Sequence, residues 1–198
     1  AYPISGTEES IEAITMDDLK AFYKKNFSPS VSKFHIVGNI DQETVTATLA
    51  SLEKKWKSKE VTIPTFEMNP DRNKSSLYFV DIPNAKQSVI NIGYLSMART
   101  DPDYFAATVM NYKLGGSFSG NVNLILREEK GYTYGAFTGF SGTKVRGTFS
   151  ASSSVRTNTT FESVNIFRDE INKNKNGTYQ EDLDFTKNAL IKSNAKRL

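Results

Sequence analysis

The chain has 198 residues, 38% of them apolar, with 13 Phe and 9 Tyr. That is enough for one sizeable domain, or one domain and part of a neighbour. The net charge of +3 is small and spread along the chain, which argues against a nucleic-acid or membrane-surface partner. No apolar run approaches the ~20 residues of a membrane span. The absence of cysteine excludes disulfides and thiolate sites and leaves the compartment open. His35 is the single histidine, and a catalytic zinc site takes three protein ligands, usually with a pair of histidines among them. The chain therefore holds no credible zinc site of its own. His35 lies in an apolar run, Lys33 to Gly38, and reads as a strand histidine.

The start, Ala1 to Gly6, has no signal pattern and reads as the middle of a longer protein. Thr15-Met16-Asp17-Asp18 is a capping box with Ile14 and Leu19 at the staple positions. It predicts a helix to about Asn26, stopped by Pro29. Residues 31–38 read as a strand. Asp41 caps a second helix whose stripe is Val45, Leu49, Leu52 and Trp56. Residues 57–75 are polar, carry two prolines and read as a linker or crossover.

Residues 76–82 and 86–96 read as strands joined by a turn at Pro83-Asn84. Asp101-Pro102 predicts the cap and first position of a third helix, carrying Phe105, Val109 and Tyr112 and ending at Gly115-Gly116. A short helix over about 119–129 ends at Gly131. Two strands, 132–141 and 145–155, follow. Thr160 opens a helix with Phe161, Val164, Phe167 and Ile171 inward, ended by Asn176-Gly177. Residues 179–197 read as a last helix that stops without a cap. This order predicts an α+β two-layer sandwich, with helices on one face of a largely antiparallel sheet.

The chemistry concentrates between Leu114 and Tyr134. Glycines at 115, 116 and 120 let a backbone approach another surface closely. Arg127 lies near the end of the short helix and Tyr134 a few residues into the next strand. Gly131 turns the chain between them, so both side chains can face one site. On residue types alone, Arg127-Glu128-Glu129-Lys130 is more plainly a solvated helix end, and Tyr134 a core or rim tyrosine. The glycines form no nucleotide fingerprint, since they follow a helix rather than a strand.

Leu114-Gly115-Gly116, a small polar pair, a short helix, then Leu126-Arg127-x-x-x-Gly131-x-x-Tyr134 resembles the second-domain signature of the pitrilysin/insulinase-type zinc peptidases. Ile4 to Ile11 followed by Thr15-x-x-Asp18-Leu19-x-x-Phe22-Tyr23 resembles that family's entry into the domain. Phe34 to Ile40 with Asp41 resembles its strand-Gly-Asn/Asp-helix segment. The chain departs from the pattern at Ser117, where a glycine or small residue is usual, and at Asn121, where an arginine is frequent.

The resemblance implies a clamshell of two halves, one binding zinc through an inverted His-x-x-Glu-His motif and the other lacking it. It implies catalytic roles for Arg127 and Tyr134 and substrate binding at Gly115, Gly116 and Ser117. It implies no cofactor in this chain, with zinc in a partner domain of the same or another chain, and a peptide as substrate. Residues 1–28 would then be a helical entry segment or the end of a preceding domain, and 29–198 the second domain, cut short at its C-terminus. The alternative is a non-catalytic scaffold or peptide-binding module of the same fold. A generic α+β binding domain is the reading that sets the resemblance aside.

Overall fold

The computed structural model describes residues 4–65, 74–177 and 179–194. They fall into two compact units, Ala1–Glu67 and Met68–Leu198.

The first unit is helical. Helices α1 (Glu8–Glu12) and α2 (Met16–Asn26) both begin with capping boxes. At α2 the Asp18 amide donates to the Thr15 hydroxyl at 3.2 Å, and the Thr15 amide donates back to the Asp18 carboxylate at 2.9 Å. Its bonds with Thr15 hold the Asp18 carboxyl below the usual carboxylate range. Fully buried Ser28 then anchors the chain. Its hydroxyl donates to the Lys59 carbonyl at 2.8 Å and accepts the Lys59 amide at 2.9 Å. Helix α3 (Gln42–Lys55) starts at Asp41, whose carboxylate accepts the Thr44 amide at 2.8 Å. Its predicted stripe is only partly covered, with Val45, Leu49 and Trp56 half-buried and Leu52 exposed.

The predicted strand at 31–38 does not form. Val31 closes a short 3-10 turn, Pro29–Val31, and residues 32–38 are all exposed. A strand exists only through ladder bonds to a neighbour, and none is offered among the described residues of this unit. Residues 57–65 carry no helix or strand, as expected of a linker, while 66–73 of that linker lie outside the described residues.

The second unit is built on an antiparallel sheet of β1 (Gln87–Leu95), β2 (Thr133–Ser141) and β3 (Thr148–Arg156), in the order β1-β3-β2. Strand β3 alternates cleanly: Phe149, Ala151, Ser153 and Val155 are buried. Ile90 of β1 and Ala136 of β2 both pair with Ser153 and so share that inward face. Leu114, Val122, Leu126 and Phe167 close the core from the helical layer. The chain is thus α+β, with an antiparallel sheet packed against helices.

The predicted strand at 76–82 is absent from the sheet. Leu77, Phe79, Val80 and Ile82 are exposed, and among the described residues, 76–82 take no place in the ladder of β1, β2 and β3. The Pro83-Asn84 turn does form, with Asn84 at φ 63° and the Ala85 amide donating to the Ile82 carbonyl. Helix α4 (Tyr104–Asn111) begins later than Asp101-Pro102 predicts. Asp101 instead accepts the Asp103 amide at 3.0 Å, a local turn that delays the helix.

Helix α5 (Asn121–Asn123) is extended by a wider turn, Leu124–Glu129, and the segment ends at Gly131 with φ 62°. The Tyr132 amide donates to the Leu126 carbonyl at 2.8 Å across that glycine. Helices α6 (Thr160–Lys175) and α7 (Gln180–Asn194) complete the unit. The inward face of α6 differs from the predicted stripe. Ser163, Phe167 and Glu170 are buried, whereas Phe161 is 83% exposed and Val164 is exposed. Positions 163, 167 and 170 share one face by helical spacing, and Phe161 falls off it. The start of α6 is pinned by the Thr160 hydroxyl, which donates to the Ser88 hydroxyl at 2.8 Å.

The Gly131 turn is clasped to α6. The Tyr132 hydroxyl donates to the Glu162 carboxylate at 2.7 Å, and Lys130 Nζ lies 3.0 Å from its other oxygen. The Tyr132 bond, then Lys130, holds the Glu162 carboxyl below its ordinary range.

Two outcomes follow from this packing. Phe167→Ala is expected to lower unfolding free energy by about 3–5 kcal/mol, while Phe161→Ala stays within about 0.5 kcal/mol, both read by denaturant titration. Tyr132→Phe is expected to raise the Glu162 pKa toward the ordinary carboxylate value in a carboxyl NMR titration. Because the folded-state pKa is depressed, the clasp stabilises above the carboxylate range and is lost as pH falls through the folded-state value. The stability gap between Tyr132→Phe and wild type therefore closes in acid. A gap independent of pH would contradict the clasp.

Candidate functional site

Two wide turns frame the glycine loop. Helix α4 runs into one over Tyr112–Gly116 and α5 into the other over Leu124–Glu129. In the second, the Lys130 amide donates to the Ile125 carbonyl five residues back, at 2.9 Å. Such π-helical turns are rare and recur at functional sites.

Glycine lets this loop lie against β2. A Cβ on Gly115 would fall 2.7 Å from Thr138 Oγ1 and 2.8 Å from the Thr138 amide nitrogen. One on Gly120 would fall 2.6 Å from the Gly115 Cα. Two buried asparagines complete the contact. Asn111 Nδ2 donates to the Thr138 carbonyl at 3.0 Å, and the Thr138 hydroxyl donates to Asn111 Oδ1 at 2.6 Å. The Ala136 amide donates to Asn123 Oδ1 at 3.0 Å, and Asn123 Nδ2 donates to the Phe118 carbonyl at 2.7 Å.

Arg127 is half-buried on the second wide turn, its guanidinium 4.5 Å from the centroid of the Phe118 ring. That is cation–π distance. Glu128 is its ion-pair partner. Tyr134 lies across the Gly131 turn in β2 and is 91% exposed. A bulge between the Thr133 and Ala136 pairs sits at Tyr134 and Gly135. Of the three residues expected to bind substrate, Gly115 is buried, Gly116 is exposed and Ser117 is half-buried. The Ser117 hydroxyl donates to the Tyr112 carbonyl at 3.1 Å.

Sequence reading missed Phe118, Asn111 and Asn123. Phe118 meets Arg127 nine residues on, across the glycine loop and the start of the next helix, and the two asparagines have partners 27 and 13 residues away. An asparagine in an otherwise apolar helical face was the available signal.

Among the described residues no group of His, Cys, Asp and Glu could hold a metal ion. His35 is exposed. The donor set of these residues does not fit zinc. Among the described residues no helix is long and apolar enough to cross a membrane.

A family model described as the peptidase M16 inactive domain matches residues 13–190. The fold is similar to the crystal structure of a peptidase M16 inactive domain from Pseudomonas fluorescens, with TM-score 0.85 and 28% identity over 96% of this chain and 46% of that one. An uncharacterized zinc protease of Streptomyces coelicolor is 28% identical over 85% of this chain and 38% of its own length. A probable inactive metalloprotease of Bacillus subtilis is 26% identical over 91% of this chain and 42% of its own. The chain thus spans less than half the length of these relatives. With the family match running across nearly the whole chain and the architecture in agreement, the chain belongs to the pitrilysin/insulinase-type, or M16, zinc peptidase family as its inactive domain.

Proposed function

We propose that this domain closes over the active site of a zinc peptidase, supplying Arg127 and Tyr134 while a zinc-bearing domain of the same or another chain supplies the metal, its ligands and the general base. The observation that carries this reading is the presentation of Tyr134. A tyrosine in a core-flanking strand is held 91% exposed at a bulge, across one glycine turn from an arginine seated on an aromatic ring.

The partner's zinc would activate water and polarise the scissile carbonyl. Tyr134 would donate its phenolic hydrogen to the oxyanion that develops there. Arg127 would bind a peptide carbonyl with its fork of donors, its plane set by Phe118. Gly116 and Ser117 would meet the substrate backbone. Gly115, being buried, would serve by letting the loop approach β2. Residues 1–28 would lead the chain into the second domain, 29–198.

A second reading has an observation of its own. The relative from Bacillus subtilis is a probable inactive metalloprotease, and for this chain that supports the alternative of a non-catalytic scaffold or peptide-binding module of the same fold. A partner without a His-x-x-Glu-His segment would favour that reading, and a partner with one would count against it.

In the assembled peptidase, Tyr134→Phe and Arg127→Ala are each expected to lower kcat/KM at least tenfold, since one lost oxyanion donor costs about 2.7–4 kcal/mol of barrier. Zinc content by metal analysis is expected to stay unchanged. Wild-type turnover in both variants would sink the catalytic assignment.

A further inference from the structure

The bulge in β2 has a specific geometric effect. From Ala136 to Ser141 the strand pairs with β3 in one regular register, beginning Ala136 to Ser153. Carried back by two residues, that register would set Tyr134 opposite Val155. Val155 is fully buried and points into the core. In the observed structure Thr133 stands opposite Val155 instead. The extra residue exchanges a small hydroxyl side chain for a tyrosine at an inward position and turns the tyrosine out.

Nothing in the hydrophobic effect favours this exchange, because an aromatic ring gains by burial. The bulge also takes Gly135 out of the ladder, and its backbone groups need other partners. Thr133 and Ser153 provide them. The Gly135 amide donates to Thr133 Oγ1 at 3.0 Å. The Ser153 hydroxyl donates to the Gly135 carbonyl at 2.8 Å. The Thr133 hydroxyl spends its own hydrogen on the Ser154 carbonyl at 2.7 Å. Each hydroxyl has one hydrogen, and this assignment uses each once. Thr133 and Ser153 Oγ atoms also lie 2.9 Å apart, so the network is continuous.

We infer that Thr133 and Ser153 are positioning residues for the reaction, a hydroxyl clasp that holds the bulge and thereby aims Tyr134 outward. The inference rests on the proposed role of Tyr134. It differs from a merely structural role because its effect on turnover passes through one phenol. Removing the clasp lets β2 slip into the regular register and draws Tyr134 toward Val155.

The test uses Thr133→Val, which keeps shape and removes the hydroxyl, with Thr133→Ser as the rescue and Ser153→Ala as the second arm. Each is made in the assembled peptidase with Tyr134 and with Tyr134→Phe. Thr133→Val is expected to lower kcat about tenfold to a hundredfold, the scale of a misplaced catalytic group, with little change in KM. Thr133→Ser is expected to recover most of it. In the Tyr134→Phe background Thr133→Val is expected to add nothing further. Equal losses in both backgrounds would overturn the inference, since the clasp would then act on the fold at large.

A crystal structure of the Thr133→Val variant, with hydrogen exchange over 132–137, separates the two claims. If Tyr134→Phe alone leaves turnover intact, the catalytic reading fails and the structure decides the clasp. Tyr134 turned inward opposite Val155, with faster exchange, upholds it. An unchanged bulge with Tyr134 still outward overturns it.

Discussion

Asn123 has no exposed surface, and both ends of its amide are engaged: its oxygen takes the Ala136 amide of β2 and its nitrogen gives to the Phe118 carbonyl of the glycine loop. Strand β2 is an edge of the described sheet, and an edge strand carries backbone groups that must find partners when buried. Asn123 and Asn111 supply them, and glycines at 115 and 120 clear the space for the loop to come that close. Leaving one of these buried groups unpaired would cost roughly 1–3 kcal/mol. The same contact carries positional information. Phe118, under the Arg127 guanidinium, hangs from Asn123, and Tyr134 stands two residues before the amide that Asn123 holds.

The two candidate groups are therefore mounted by opposite means. Arg127 is held by its neighbours in the helical layer, on an aromatic face and beside Glu128. Tyr134 is released from the sheet by a bulge whose backbone is satisfied through hydroxyls. Between them the Gly131 turn is fixed at its far side by the Tyr132–Glu162 bond to α6. Holding the backbone on both sides of one turn favours an electrostatic contribution to a reaction, because preorganised donors act without reorganising as charge develops.

Much of this frame was legible in the sequence where a residue type answers to one local geometry. Thr15 with Asp18, Asp41, Gly131 and the Pro83-Asn84 turn each act within a few residues, and each stands where the sequence reading put it. The α+β class and the antiparallel sheet followed from the order of elements. The failures have a common physical origin. Apolar runs at 31–38 and 76–82 have strand composition, but a strand is made by its partner, and composition says nothing of partners. Phe161 and Val164 read as inward by type, yet the rotation of α6 is set by which side chain wedges into the sheet, and Phe167 does so. The bulge at Tyr134 was invisible for the same reason: it is a mismatch between two strands, stabilised by Ser153 from the other one. The proposed roles of Arg127 and Tyr134 have no such local geometry behind them and come from the family resemblance alone.

The central claim is that the glycine loop and β2 are fastened together so that Arg127 and Tyr134 meet one peptide. The most direct measurement is a crystal structure of the assembled peptidase, inactivated at its general base, with a peptide bound. The account predicts the Tyr134 hydroxyl and the Arg127 guanidinium within about 2.7–3.1 Å of oxygens on the same or adjacent peptide units, with Phe118 still beneath the arginine. A peptide bound away from both side chains, or Tyr134 and Arg127 pointing to separate surfaces, would contradict it.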